Sequence, residues 1–209
     1  MIDSTIDTVR DNGKDGGYHM GRERKFNTKD LFLCTKKLIM QTGYEGFTIG
    51  QLAKQLNVTR TAIYKYYQNK DELLLDFMVT EMKDVVTSFS SLPKDLPFLD
   101  KIQRLLEEIF RHKDLHFILG MQELIPDKNE PHIVAKKKQL ALMHRELYHP
   151  LIHMMEQGKK EGYIEADMPN ELLLGFVFQS IAIPNHSGMD REQLFQYTKK
   201  MILNGILKK

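Results

Sequence analysis

Residues 43–73, GYEGFTIGQLAKQLNVTRTAIYKYYQNKDEL, constrain this chain more tightly than any other stretch. Thr48, followed three residues later by Gln51, has the spacing of a capping box at a helix start. Ile49, Leu52, Ala53 and Leu56 then share the buried side of a short helix. Asn57 stands where the chain must turn sharply, and Asn tolerates a left-handed backbone better than most residues. Thr59 is placed to cap a further helix that turns Val58, Ile63 and one or both of Tyr66 and Tyr67 inward. Asn69 and Glu72 cap the next, whose apolar side carries Leu73, Leu74, Phe77, Met78, Val85 and Val86. Two short helices joined by a tight turn, between two longer ones, form a helix-turn-helix unit.

The side chains left pointing outward suit phosphates and base edges. Thr59, Arg60 and Thr61 stand at the front of the second short helix, where Arg60 can donate two hydrogen bonds to guanine. Tyr64 and Lys65, one turn later, are placed for phosphate, as are the Thr48 hydroxyl and Lys70 at the following helix start. Charge follows the same division. Residues 21–73 hold ten basic and five acidic residues, whereas residues 74–209 hold 18 and 19 and residues 1–20 hold two and four. The excess of cations therefore sits where a phosphate-facing surface requires it.

The stretch resembles the TetR (AcrR) family of bacterial regulators. The family's slots read here Gly43-Tyr44, Thr48-Ile49, Leu52-Ala53, Asn57-Val58, Thr59-Arg60-Thr61-Ala62-Ile63-Tyr64-Lys65-Tyr66-Tyr67 and Lys70-Asp71-Glu72-Leu73. By that resemblance Thr48, Arg60, Thr61, Tyr64, Tyr66 and Lys70 fall at positions that touch DNA. Two slots depart from the pattern: Asn57 replaces a turn glycine and Thr61 replaces a glycine of the recognition helix. The second adds a side chain where relatives let backbone approach, so the target sequence cannot be borrowed from them.

The rest of the chain reads as helices too. A leading helix starts near Thr28 with Leu31, Cys34, Leu38 and Ile39 on one face, and stops at Gly43. After the break at Ser90–Pro97, a fifth helix carries Leu99, Ile102, Leu105, Leu106 and Ile109, and a sixth covers 114–125. Residues 130–161 form one long helix kinked near Pro150 and ended by Gly158 and Gly162. Two more span 170–184 and 190–207. The expectation is an all-α chain of about nine helices, with residues 21–73 as the helix-turn-helix domain and 74–209 as an effector-binding and dimerisation domain. Residues 1–20, polar and glycine-bearing, are expected to be a disordered extension or an expression remnant, with Met20 a candidate natural start.

By resemblance, helices four to seven enclose a ligand cavity and the last two pair with their copies in a twofold dimer. Candidates for the cavity are Phe110, Phe117, Met121, Met143, Tyr148, Met154 and Phe178, of which the methionines adapt to irregular apolar molecules. Leu172, Leu173, Phe176, Val177 and Ile181 make an apolar surface broader than one short helix covers; Leu194, Tyr197 and Met201 of the last helix join it in the expected homodimer interface.

His112/His116 and His149/His153 are spaced i, i+4, which can hold a metal with Glu123 or Glu146 nearby, but such pairs need a third ligand to qualify and no metal or cofactor is expected. Cys34 reads as a packing residue, and a lone cysteine agrees with a reducing cytoplasm. The run Lys136–Lys138 reads as a solvated face. No apolar run reaches membrane-spanning length. No nucleophile–base set, glycine-rich phosphate loop or HExxH motif supports an enzyme. The expected function is a dimeric DNA-binding transcriptional regulator, a repressor released from a near-palindromic double-stranded DNA operator by a small apolar or aromatic effector. A DNA-binding protein without an effector, and a C-terminal domain with enzymatic activity, are the competing readings.

Overall fold

In a computed structural model, the structure describes residues 26–93, 95–127 and 130–206. The expected extension, residues 1–20, lies outside them. The helices are α1 (Thr28–Gly46), α2 (Ile49–Gln55), α3 (Arg60–Tyr64), α4 (Lys70–Ser90), α5 (Phe98–Arg111), α6 (Lys113–Gly120), α7 (Pro131–Lys160), α8 (Asn170–Gln179) and α9 (Arg191–Ile206). Short 3-10 turns, Met121–Leu124 and Ser180–Ala182, follow α6 and α8. Among the described residues there is no strand.

Local chemistry sets the N-terminal boundaries. The Thr48 hydroxyl accepts from the Gln51 amide at 3.2 Å, Thr59 from Ala62 at 3.3 Å and Asn69 from Glu72 at 2.8 Å, each satisfying an orphan donor of the first turn. Gly43 adopts φ 65°, which interrupts α1 and leaves one more turn, and Asn57 adopts φ 53° in the turn between α2 and α3. Both are left-handed, the conformation that Gly and Asn reach at least cost.

Packing is organised around α4, which lies along α7 and also touches α1, α5 and α6. Leu73, Leu74, Leu75, Phe77 and Met78 of α4 are fully buried, and such side chains contribute roughly 1.5–3 kcal/mol each. The expected boundary between residues 73 and 74 falls inside this helix. Helix α9 packs on α5, where the Phe110 and Phe195 rings meet edge to face at 5.0 Å.

Several expectations need correction. Phe98, not Leu99, is the buried anchor of α5, because the helix begins directly after Pro97 and repeats its apolar positions at 98, 102, 105 and 109. The sixth helix ends at Gly120 and tightens into a 3-10 turn. Gly158 does not end α7; it is buried inside the helix against the Phe98 ring. Gly162, at φ 79°, stands just beyond the helix end. The single long helix through Pro150 is as expected. Lys136 and Lys137 are not merely solvated: they pair with Asp76 at 2.5 Å and Asp127 at 2.6 Å.

Candidate nucleic-acid interface and effector cavity

The short helix α3 has two distinct faces. Ala62 and Ile63 are buried, and Tyr67 just beyond it is buried as well, whereas Thr59, Arg60, Thr61, Tyr64, Lys65 and Tyr66 are exposed. The inward tyrosine is therefore Tyr67. Its hydroxyl donates to Asp76 of α4 at 2.9 Å, and Lys136 of α7 holds the other oxygen of that carboxylate. Tyr66 turns outward and meets the Phe26 ring edge-on at 5.7 Å.

Helices α2 and α3 meet at their starts. A Cβ on Gly50 would lie 3.0 Å from Nε and Nη2 of Arg60, so the guanidinium rests on the first turn of α2 in space that a larger residue would take. Exposed Thr48 caps that same turn. The structure thus gathers a hydroxyl and a cation from two helices beside Thr59, Thr61 and Tyr64. Lys70 is placed differently. It is half-buried, its Nζ donates to the Tyr44 carbonyl at 2.9 Å, and it stands 4.1 Å above the Tyr44 ring. Tyr44 in turn donates to buried Asp71 at 2.9 Å. Burial first, then this bond, raises the Tyr44 phenol well above its ordinary range, so it remains a neutral donor that fixes the end of α1 to the start of α4. Sequence reasoning did not find this cluster, whose members lie 27 residues apart.

A cavity of about 290 Å³ lies among α4, α5, α6, α7 and α8. Its walls are mostly apolar, with Val85, Phe89, Ile109, Leu115 and Leu147, but three histidines interrupt them: His112, His116 and His144. Desolvation lowers all three below the ordinary imidazole value, and His144 is lowered further by the neighbouring His116. A neutral imidazole offers one donor and one acceptor. The rings of His144 and Tyr148 are 4.4 Å apart, Tyr148 and Phe178 stack at 5.2 Å, and His116 stacks on Phe178 at 6.4 Å.

Of the seven candidate cavity residues, Tyr148 and Phe178 line this space together. Phe117 and Met121 line an open groove against α1, Phe110 packs on Phe195, and Met143 is buried in the core. Met154 lines a second cleft, together with His149 and His153. Histidines 112 and 116, singled out by their spacing, face the first cavity; among the described residues, no group of three or more His, Cys, Asp or Glu gathers to hold a metal ion. Cys34 is half-buried against the core.

The candidate interface residues of α8 and α9 divide. Leu173 and Val177 are buried in the protomer, Ile181 borders the cavity and Leu194 is half-buried. Leu172, Phe176, Tyr197 and Met201 are 61%, 53%, 59% and 57% exposed. Among the described residues no helix is long and apolar enough to cross a membrane.

Residues 34–77 match the family model described as bacterial regulatory proteins, tetR family. The chain is 24% identical over 187 residues to an uncharacterised HTH-type transcriptional regulator, YhgD of Bacillus subtilis, with 85% of this chain and 96% of that protein covered. In fold it is similar to the ketosteroid transcriptional regulator KstR2 of Mycobacterium tuberculosis, with a TM-score of 0.61 at 17% identity over 90% of this chain and 97% of that one. It is also similar to FadR of Bacillus subtilis in complex with stearoyl-CoA, with a TM-score of 0.62 at 15% identity over 86% of this chain and all of that one. At these identities the two structural likenesses concern the fold.

Proposed function

We propose that this chain, a TetR-family transcriptional regulator, works as a homodimeric repressor whose hold on operator DNA is set by a small molecule. The observation that carries the DNA role is the two-faced α3. Its apolar side is locked into α4 through Tyr67 and Asp76, and its polar side is solvent-exposed beside the start of α2. Phosphate contacts from Thr48, Tyr64, Lys65 and Tyr66 would orient the domain, and Arg60 and Thr61 would read base edges. Pairing through Leu172, Phe176, Tyr197 and Met201 would present two such helices to successive major grooves, about 34 Å apart.

The effector role rests on the cavity between α4 and α8, and the FadR neighbour with its bound stearoyl-CoA supports a ligand site in this architecture. Helix α4 borders the cavity at Met82, Val85 and Phe89 and holds Tyr67 through Asp76. A ligand that moves α4 therefore moves the seat of α3, and only its differential affinity for the two dimer spacings shifts the population.

Selection from a random duplex library is the direct test. A near-palindromic consensus with half-sites one helical turn apart is expected, and recovery of unrelated sequences would defeat the reading. Lys70→Ala is expected to weaken binding to every sequence and to reduce the slope of log affinity against log salt by about one unit. The Tyr44 carbonyl takes one of the three Lys70 donors and leaves two for phosphate. A slope equal to the wild-type value would confine Lys70 to holding Tyr44.

A further inference from the structure

A second cleft opens on the other side of Phe89. It measures about 390 Å³ and lies between the end of α4, the connection into α5, α5 itself and the middle of α7. Phe89 stands in the walls of both spaces, its ring 6.5 Å from the His112 ring on the inner side. The inner cavity alone is at the small end for an organic ligand; Phe89 is the wall between the two spaces, and a molecule that displaced its ring would span both.

Their polarities differ in a way that orients such a molecule. Among the described residues, every ionisable side chain lining the outer cleft is of a basic type: Lys101, Arg104, His149 and His153. Lys101 donates to the neutral Gln157 carbonyl at 2.8 Å, and among the described residues no carboxylate pairs with it. Arg104 meets Glu107 at 3.2 Å, but that pair is solvent-exposed and weak. The cleft is also lined by Leu92, Leu96 and Leu151. Among the described residues the inner cavity has no lysine or arginine in its wall; its polar groups are Gln122, Gln179, Tyr148 and three imidazoles that desolvation disfavours in charged form, so an anionic group placed there would be poorly compensated.

We propose that the effector is an elongated amphipathic anion, with its carboxylate or phosphate head at Lys101 and Arg104 and its apolar tail passing Phe89 into the inner cavity. The inference rests on the effector reading above and adds the head-group site and the ligand class. Calorimetric titration of the full chain without DNA tests it, with dodecanoate, dodecyl phosphate and dodecan-1-ol as probes. At least one anion is expected to bind at one per chain and about tenfold or more tighter than the alcohol, as charge-assisted hydrogen bonds to two cations imply. Preference between the two anions tells a carboxylate head from a phosphate head, and either supports the site.

The double variant Lys101→Ala/Arg104→Ala is expected to remove that advantage while leaving dodecan-1-ol binding unchanged. Leu119→Trp, at a half-buried position in the inner wall, is expected to weaken dodecanoate by about tenfold and to spare hexanoate, whose tail stops at the outer cleft. Equal affinity for anion and alcohol, more than one molecule per chain, no binding by either anion, or indifference of dodecanoate to both variants would each overturn the proposal. Because DNA is absent, these outcomes bear on the anion site alone; a failure to release operator DNA would count against the regulatory reading instead.

Discussion

Gly158→Val is expected to lower the melting temperature by about 6–12 °C, the equivalent of about 3 kcal/mol in a chain of this size. Position 158 lies in the last turn of α7, where alanine in place of glycine would add at most about 1 kcal/mol of helix propensity. The packing reverses that gain. A Cβ at 158 would stand 2.5 Å from two carbons of the Phe98 ring and 3.0 Å from the Ile164 side chain. Phe98 is fully buried and stacks on Tyr163 at 5.4 Å, so its ring has little room to retreat. Valine adds two methyl groups to a contact already too short for one carbon. The cause is testable apart from the size: trimming Phe98 to leucine should offset part of the loss in the Gly158→Val background and cost stability alone. Strict additivity of the two substitutions in thermal melts would show that the contact is not the reason.

That glycine marks the limit of what could be read from the order of residues. The helix starts at Thr48, Thr59 and Asn69 and the turn at Asn57 were legible because each depends on a side chain and a backbone group within three residues. The layout of nine α-helices and no strand among the described residues followed from periodicity. Gly158 carries the residue type of a helix stop, and only the approach of Phe98, 60 positions earlier, gives it another role. Lys136 looked like part of a solvated run until α4 brought Asp76 to it. The spacing of His112 and His116 suggested a shared helix face, but His112 stands at the junction of α5 and α6, and only the fold shows that both line a cavity with His144 and Tyr148. On the DNA side, the outward chemistry of Arg60 was visible in the string, whereas the rest of its guanidinium against Gly50 needed both helices in place.

Arg60→Ala is expected to cost about 1–3 kcal/mol of specific affinity per half-site, or about 2–6 kcal/mol on a twofold operator. The geometry allows Arg60 two roles with different signatures. Resting over the first turn of α2, the guanidinium can grip a phosphate; swung outward from the start of α3, it can fork onto guanine O6 and N7. A phosphate grip lowers affinity for all duplexes alike and lowers the salt slope. A base contact leaves non-specific binding nearly intact and erases discrimination at one base pair in each half-site. The second pattern is the expected one, because an exposed arginine at the front of α3 is where a groove-inserted helix meets base edges. Fluorescence anisotropy against the selected operator, and against copies carrying each substitution in turn, separates the two patterns. Arg60→Lys sharpens the comparison, since lysine keeps the charge but loses the planar fork. Lysine would rescue most of a phosphate contact and little of a bidentate base contact, so wild-type specificity in Arg60→Lys would assign Arg60 to the backbone and leave base reading to Thr61.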